Sequence, residues 1–211
     1  MSSRYDKALQ EAKAKMAGLG ESTTTFETFV ADTVLKQYAK DFVDLLRKNI
    51  KDRKVVASGD LESNIEIIPD ESGNKITITM LDYFDYPNEG VRGIDFDKNA
   101  PGSPYSFKKS KGYYAMSPDG RASIKKLISD GKMKVSDTSK TKRPVGLEGK
   151  RKSLIDMQTD QLIYLIRKHG IKRTRYFDDA FDTVFGTFAE DMAKAYGQDI
   201  AFNIKLATKK L

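Results

Sequence analysis

The sequence predicts an α+β fold with a long N-terminal helix, a small antiparallel sheet, long basic loops and two C-terminal helices. Three patterns support this fold class. Apolar residues recur at three- and four-residue spacing between positions 26 and 50, and apolar and polar residues alternate between positions 64 and 80. Helical spacing returns between positions 154 and 192.

The length of the chain bounds its domain organisation. A chain of 211 residues can form one domain with a proper core together with arms, and two full domains are not expected. We expect an N-terminal arm or helix over residues 1–22 and a single α+β domain over 23–200, with a basic loop insertion at 101–152. Residues 201–211 are expected to form a C-terminal arm.

Two helices are predicted in the N-terminal part. Residues 4–17 form a short amphipathic helix, which the Gly18-Leu19-Gly20 sequence ends. In the longer helix that follows, Thr24 or Thr25 can act as the N-cap, and Glu27 places an acid in the first turn. Its apolar face consists of Phe26, Phe29, Val30, Val34, Tyr38, Phe42, Leu45, Leu46 and Ile50.

A β-hairpin is predicted next. Ile65 and Ile67 alternate with polar residues up to Pro69, and 70–74 have a turn composition before the alternation resumes at Ile76. The aromatic residues 83–86 are predicted to extend the second strand or to start a third. Because Pro87 cannot donate a ladder hydrogen bond, this strand is expected to end or bulge there.

Loops dominate residues 90–149, with one short helix expected at 122–130. The next helix covers 154–168 and closes at His169-Gly170, where glycine favours the left-handed terminal position. A further helix begins after Thr174, and the tail after Ile200 is predicted to be a strand or an arm. The aromatic stripe of this helix should pack on the long N-terminal helix and on the Ile65/Ile67 face of the sheet: Phe177, Phe181, Phe185 and Phe188.

Composition excludes several kinds of site. The chain has no cysteine, which removes disulfides, thiolate zinc sites and cysteine nucleophiles, and its single histidine, His169, excludes histidine-pair metal sites. We expect His169 to interact with carbonyls at the helix end. Acidic residues lie at the start of a predicted helix, at 178, 179 and 182. We interpret them as interacting with the positive end of that helix and not as metal ligands. We therefore predict no enzyme activity and no cofactor.

The sequence predicts a soluble protein. No stretch approaches the roughly 20 apolar residues of a membrane span, and the polar N-terminus lacks the apolar run of a secretory signal. We expect synthesis in a cytoplasm and no membrane partner.

Two segments resemble a motif pair of known proteins. The first is Tyr83-Phe84-Asp85-Tyr86-Pro87-Asn88-Glu89-Gly90-Val91-Arg92-Gly93, and the second is Gly102-Ser103-Pro104-Tyr105-Ser106-Phe107-Lys108. The pair is similar to an aromatic strand, a Gly-Val-Arg-Gly turn and a Ser-Pro-aromatic-Ser-Phe segment in tailed-bacteriophage neck proteins. These are the ring-forming head–tail joining or tail-completion subunits. Residues 57–63, 162–172 and 175–177 also resemble that family, so the likeness covers roughly residues 25 to 200.

The resemblance implies a virion protein, assembled in the host cytoplasm, that forms a ring joining the portal to the tail. It implies twelve copies, with six as the alternative, contacts with the portal and other neck or tail proteins, and packaged double-stranded DNA in the lumen. The candidate subunit-interface residues are Tyr83, Phe84, Tyr86, Arg92, Ser103, Pro104, Tyr105 and Phe107. The Gly-Val-Arg-Gly sequence is also readable as a tight turn whose glycines adopt positive φ.

Positive charge is concentrated in one segment. Residues 108–152 contain fourteen Lys and Arg against four acids, a local charge of +10 in a chain of net charge +7. The candidate DNA-facing residues are Lys108, Lys109, Lys111, Lys125, Lys126, Lys140, Lys142, Arg143, Lys150, Arg151 and Lys152. The segment can also be a solvated face, or an arm that grips acidic partner surfaces.

The kind of nucleic-acid contact also follows from this segment. Lys and Arg neutralise phosphates irrespective of sequence, so the competing function is a sequence-nonspecific DNA-binding module. Because the segment has aromatic residues only at Tyr113 and Tyr114, the sequence does not predict a stacking platform for single strands.

Overall fold

A computed structural model of the chain describes residues 4–17, 29–55, 59–69, 75–108, 112–133 and 153–208. The α+β class is confirmed. The chain divides into two compact units. The first unit comprises Met1–Asn49, Asn64–Leu81 and Phe177–Leu211, and the second comprises Ile50–Ser63 and Asp82–Tyr176.

The elements follow from these ranges. The helices and strands that lie mainly in the first unit are α1 (Arg4–Ala17), α2 (Phe29–Asp52), β1 (Glu66–Pro69), β2 (Ile76–Thr79), α7 (Tyr176–Phe185) and α8 (Phe188–Thr208). Those of the second unit are α3 (Asp60–Ser63), α4 (Asp85–Glu89), β3 (Val91–Arg92), α5 (Pro118–Ser129), α6 (Leu154–His169) and β4 (Gly170–Ile171). None of the helices in these described ranges is long and apolar enough to cross a membrane.

The core of the first unit forms around the apolar face of α2. Phe42 is 3% exposed, and its ring centroid lies 5.4 Å from that of Phe177 and 5.5 Å from that of Phe185. The predicted packing of the aromatic stripe on the long helix is therefore confirmed. Edge-to-face rings at such distances add about 0.5–1.5 kcal/mol per pair to the gain from area burial.

A polar pair is enclosed in the same core. The Tyr38 hydroxyl donates to Asp191 Oδ2 at 2.6 Å and also lies 2.9 Å from Thr187 Oγ1. Burial, together with the hydrogen bond to Asp191, raises the pKa of Tyr38. Because the hydroxyl has partners, this large aromatic side chain can be fully buried without an unsatisfied polar group.

The start of α2 is held by a carboxylate from another helix. Asp199 on α8 is fully buried, and its two oxygens accept hydrogen bonds from the backbone N–H groups of Val30 and Ala31, each at 2.9 Å. The first N–H groups of a helix have no intrahelical partner, and a negative charge there also interacts favourably with the positive end of the helix dipole. Helix α8 extends beyond Asp199 to Thr208, so the predicted strand is wrong over residues 200–208.

The predicted hairpin is confirmed, but its burial is not as expected. β1 and β2 pair antiparallel, with Glu66 opposite Thr79 and Ile67 opposite Ile78. Ile67 is 38% exposed, so the aromatic stripe does not cover the Ile65/Ile67 face of the sheet, and Ile68 on the opposite face is 48% exposed. Only Ile65, just before the strand, is buried, and Arg47 donates to its carbonyl at 2.9 Å.

The aromatic helix after Thr174 is interrupted. α7 ends at Phe185 and α8 starts at Phe188, with Gly186 in the intervening turn. The predicted turn at 70–74, the caps at Thr24 and Thr25 and the Gly18-Leu19-Gly20 terminator lie outside the described residues.

Replacing Asp199 by alanine should destabilise the first unit. The substitution leaves two buried N–H donors without acceptors, which costs about 2–3 kcal/mol. Thermal unfolding followed by circular dichroism measures the effect. The matched control is Asp44→Ala, an exposed carboxylate on α2, which should change the unfolding free energy by less than about 0.5 kcal/mol. Equal midpoints for the two variants would contradict the assigned role.

Candidate functional site

The segments that carry the resemblance meet at one place in the second unit. Strand β3 pairs antiparallel with β4, with Val91 opposite Ile171 and Arg92 opposite Gly170. On its other side, Arg92 N–H donates to the Tyr105 carbonyl at 3.0 Å, and Phe107 N–H donates to the Arg92 carbonyl at 2.9 Å. Three separate sequence segments therefore form one backbone framework around Arg92.

Glycines permit the close approach of these backbones. A Cβ on Gly93 would lie 2.2 Å from the Lys168 carbonyl oxygen, and one on Gly170 would lie 2.1 Å from the Val91 carbonyl oxygen. Gly90 and Gly170 also have φ of 72° and 82°, a region that side chains disfavour. The predicted positive φ is thus confirmed at Gly90. Gly93 does not have it and is required for space instead.

The predicted strand at 83–86 is wrong, because this segment is a turn that leads into helix α4. The carbonyls of Pro87 and Asn88 accept hydrogen bonds from the backbone N–H groups of Thr174 and Arg175, each at 3.1 Å. These bonds satisfy carbonyls that a short helix leaves without partners. Pro87 lies in the first turn of α4, where the missing N–H costs nothing, so no strand bulge is needed.

Ser103 is buried within the second unit. It is 3% exposed, its hydroxyl donates to the Gly90 carbonyl at 2.7 Å, and it accepts from the Tyr105 N–H at 3.1 Å. Ser103 therefore joins the two motif segments, and its side chain is not presented to a neighbouring subunit as predicted. Phe84 and Phe107 are half-buried, and the Arg167 guanidinium lies 5.1 Å from the Phe107 ring centroid.

Three of the predicted interface residues are exposed, and a fourth, Tyr105, is half-buried. We call these four residues the aromatic face: Tyr83, Tyr86, Pro104 and Tyr105. Tyr83 is 36% exposed and Tyr86 is 46% exposed. The Tyr105 ring lies edge-on to Tyr86 at 4.7 Å, and its hydroxyl donates to Asp85 at 3.3 Å. The rings of Tyr86 and Tyr105 are thus held in place by their contact with each other and by the backbone hydrogen bonds of α4.

Arg92 lies in the middle of this framework. Its Nε is buried and has no hydrogen-bond partner in the part of the chain that the structure describes. A buried donor without a partner costs about 1–3 kcal/mol. Because this atom is not accessible to solvent, a ligand or a neighbouring chain could contact Arg92 only through the rest of its half-buried side chain.

Three of the candidate DNA-facing residues fall in described ranges. Lys108 pairs with Asp97 at 2.9 Å, Lys125 pairs with Asp156 at 2.7 Å, and Lys126 is exposed on α5. The predicted helix at 122–130 is confirmed as α5. The other candidates lie outside the described residues: Lys109, Lys111, Lys140, Lys142, Arg143, Lys150, Arg151 and Lys152.

One cluster was not predicted from the sequence. The His169 ring stacks on Phe96, with centroids 5.0 Å apart and planes 5° apart. The expected contact of this ring with helix-end carbonyls is not among the contacts of the described residues. Tyr114 stacks on Tyr164 at 5.8 Å, and Lys168 Nζ lies 5.5 Å from the centre of the Tyr164 ring. The spacing of 164 and 168 on one helix is visible in the sequence, but nothing there indicates that Phe96 and Tyr114 join them.

No group of three or more His, Asp or Glu side chains within the described ranges could hold a metal ion. The acids at 178 and 179 lie in the first turn of α7, as predicted. Comparison of the chain with protein-family models, with curated proteins and with solved structures found no match. The function is therefore inferred from the geometry of these surfaces and from the sequence motifs.

Replacing Gly93 by alanine should disrupt the framework. The added Cβ would overlap the Lys168 carbonyl and the adjacent backbone, which side-chain rotation cannot relieve, at a cost of about 3 kcal/mol or more. Thermal unfolding provides the measurement. The control is Gly197→Ala on α8, where no atom lies within 4 Å and stability should be unchanged or higher by up to about 1 kcal/mol. A wild-type midpoint for Gly93→Ala would refute the close approach.

Asp156, in the first turn of α6, should make the free energy of unfolding depend on pH. Hydrogen bonds from Lys125 and from Ser153 lower the pKa of Asp156 to about 2. Because the folded pKa lies below the unfolded value of about 3.9, the stabilisation is present above pH 4 and is lost as the pH falls towards 2.

The carboxylate of Asp156 is 35% exposed, so screening limits its contribution to about 1 kcal/mol. Asp156→Asn should therefore lower the unfolding free energy by about that amount at pH 7, with the difference shrinking towards pH 2. Denaturant titrations at a series of pH values test this, and a difference independent of pH would contradict it.

Proposed function

We propose that this chain is a structural subunit of a tailed-bacteriophage neck, where copies form a ring that joins the portal to the tail and continues the DNA channel. The observation that carries the proposal is the framework around Arg92. The segments whose sequence resembles the neck family are distant in the chain, yet they are joined by backbone hydrogen bonds into one unit. Motif segments that serve one structural role are expected to lie together in the fold, as these do.

A closed ring needs two different contact surfaces on each subunit, because head-to-tail association places one surface against the other. The aromatic face is the first surface. The second is the β1–β2 hairpin, to which no further strand is paired within the described residues and which exposes Ile67 and Ile68. Unpaired edges combined with apolar side chains favour pairing with another chain.

Arg92 adds a polar contact to the proposed ring. A carboxylate from the neighbouring subunit would pair with the half-buried guanidinium, and a charge-assisted, bidentate hydrogen bond also fixes orientation. Registration of this kind is needed where every subunit must take the same angle to its neighbours. The contact would form only on assembly.

The basic segment, residues 108–152, favours the proposal of a DNA channel. Its local charge of +10 is repeated in every copy of a ring, and lysine and arginine contact phosphates without reading sequence. We propose twelve copies, with six as the alternative, and no catalytic activity. The second candidate function, a free sequence-nonspecific DNA-binding module, is favoured by the pI of about 9.3.

Native mass spectrometry of the purified full chain, alone and with portal rings, tests the proposal. The wild type should form closed oligomers, whereas Tyr86→Ala on the aromatic face and Ile68→Lys on the hairpin should each remain monomeric. An equimolar mixture of these two variants should give dimers only, because one intact junction remains. Tyr196→Ala, an exposed tyrosine on α8, is the control and should assemble normally.

Two results would contradict the neck function. One is a chain that stays monomeric under both conditions. The other is a monomer that binds duplex DNA with an affinity that falls steeply with salt, which would favour the free DNA-binding module.

A further inference from the structure

The solvent-facing side of α6 carries an unusual set of side chains. With 3.6 residues per turn, positions 164, 165, 168 and 169 fall within a sector of about 140°. Ile163 and Arg167, on the opposite side of the helix, are 0% and 5% exposed. The first set is therefore presented outward by the same packing that buries the second.

Two aromatic stacks stand on this side. Tyr114 is 60% exposed and lies almost parallel to Tyr164, with 29° between their planes. Phe96 is 40% exposed and lies parallel to His169. Both stacks present a ring to solvent from the second unit, and each is fixed by a partner ring on α6.

Cations flank both stacks. Lys168 Nζ lies 5.5 Å from the centroid of Tyr164, and Lys98 Nζ lies 5.8 Å from that of Phe96. The two carboxylates beside Phe96 are engaged, since Asp95 accepts from the Tyr113 hydroxyl at 2.7 Å and Asp97 pairs with Lys108. Lys98, Lys108 and Lys168 outnumber these two carboxylates by one, so the formal charge next to the rings is positive by a single unit.

We infer that this side of α6 is a binding surface for single-stranded nucleic acid, which we call the stacking surface: Phe96, Lys98, Tyr114, Tyr164, Lys168 and His169. Exposed rings accept the π-face of any unpaired base, and neighbouring lysines contact the phosphates between bases. In a duplex the base faces are covered by their neighbours, so the rings would gain nothing from it. The inference goes beyond the proposed ring and does not depend on it.

The stacking surface also explains a feature of the basic segment. Lys108, Lys109 and Lys111 directly precede Tyr113 and Tyr114 in the sequence, so the start of the +10 segment leads into the exposed ring. A polyanion attracted by that charge is brought to the aromatic side chains. Stacking on aromatic rings gives little sequence preference.

Fluorescence anisotropy with labelled oligo(dT), oligo(U) and a mixed-sequence duplex, each about 15 nucleotides long and so within the range of single-strand binding sites, tests the inference. Both single strands should bind more tightly than the duplex at moderate salt. Tyr114→Ala should weaken single-strand binding about ten-fold, the loss expected for one stacked base, while Tyr114→Phe should retain it. The control Tyr196→Ala removes an equally aromatic exposed side chain elsewhere and should have no effect.

The lysines supply a second, independent readout. Lys98→Gln and Lys168→Gln should each reduce the slope of log affinity against log salt by about 0.7, the value for one phosphate contact on a single strand. Equal binding of duplex and single strands, no measurable binding at low salt, or unchanged affinity in Tyr114→Ala would each overturn the inference. Ring assembly of Tyr114→Ala, measured in parallel, separates this surface from the proposed neck function, since assembly should be normal.

Discussion

The backbone contact between Gly93 and the end of α6 is the constraint on which the second unit depends. The N–H groups of Ile94 and Asp95 donate to the carbonyls of Arg167 and Lys168 at 2.8 and 3.2 Å. The last carbonyls of a helix lack intrahelical partners, so the chain after β3 supplies what the helix end needs. This is possible only because Gly93 has no side chain to separate the two backbones.

One consequence is that a single framework positions two different surfaces. Residues before β3 form α4 and contribute Tyr83 and Tyr86 to the aromatic face, and residues after it bring Phe96 against His169. On the other side of β3, the segment that contains Tyr105 continues towards Tyr113 and Tyr114. The proposed subunit contact and the proposed stacking surface therefore depend on the same few backbone hydrogen bonds, and damage to the framework should impair both.

The sequence predicted the elements whose apolar pattern is local. The period of α2, the alternation of β1 and β2 and the aromatic stripe of α7 all follow from residue spacing. Aromatic residues at 83–86 suggested a strand, but hydrogen bonds from residues 174 and 175 to the carbonyls of Pro87 and Asn88 favour a helix. Asp199 lies in α8 and accepts hydrogen bonds from the first N–H groups of α2. The residues that surround Asp199 in the sequence do not indicate this role.

The functional surfaces were less predictable, because they depend on which side chains the fold pairs. Arg92 is hydrogen-bonded to the backbone of Tyr105 and Phe107, and Arg167 contacts the Phe107 ring. The amino-acid sequence around the two arginines does not show how their environments differ. Arg167 is buried, donates from Nε to the Gly112 carbonyl at 2.7 Å and covers the Phe107 ring. Its hydrogen bond and its ring contact are completed within the second unit, which explains why it can lie at 5% exposure.

Arg92 differs because its buried Nε has no acceptor in the described part of the chain. Burying a donor without a partner opposes folding, so the rest of the framework has to offset that cost through its backbone hydrogen bonds. The strand that holds Arg92 is paired on both sides, which prevents the side chain from relaxing by a backbone shift. In the proposed ring, a side chain fixed in this way would lose little further entropy on contact with a neighbouring subunit. The buried Nε itself stays inside the framework, so its cost is offset by the backbone hydrogen bonds around it.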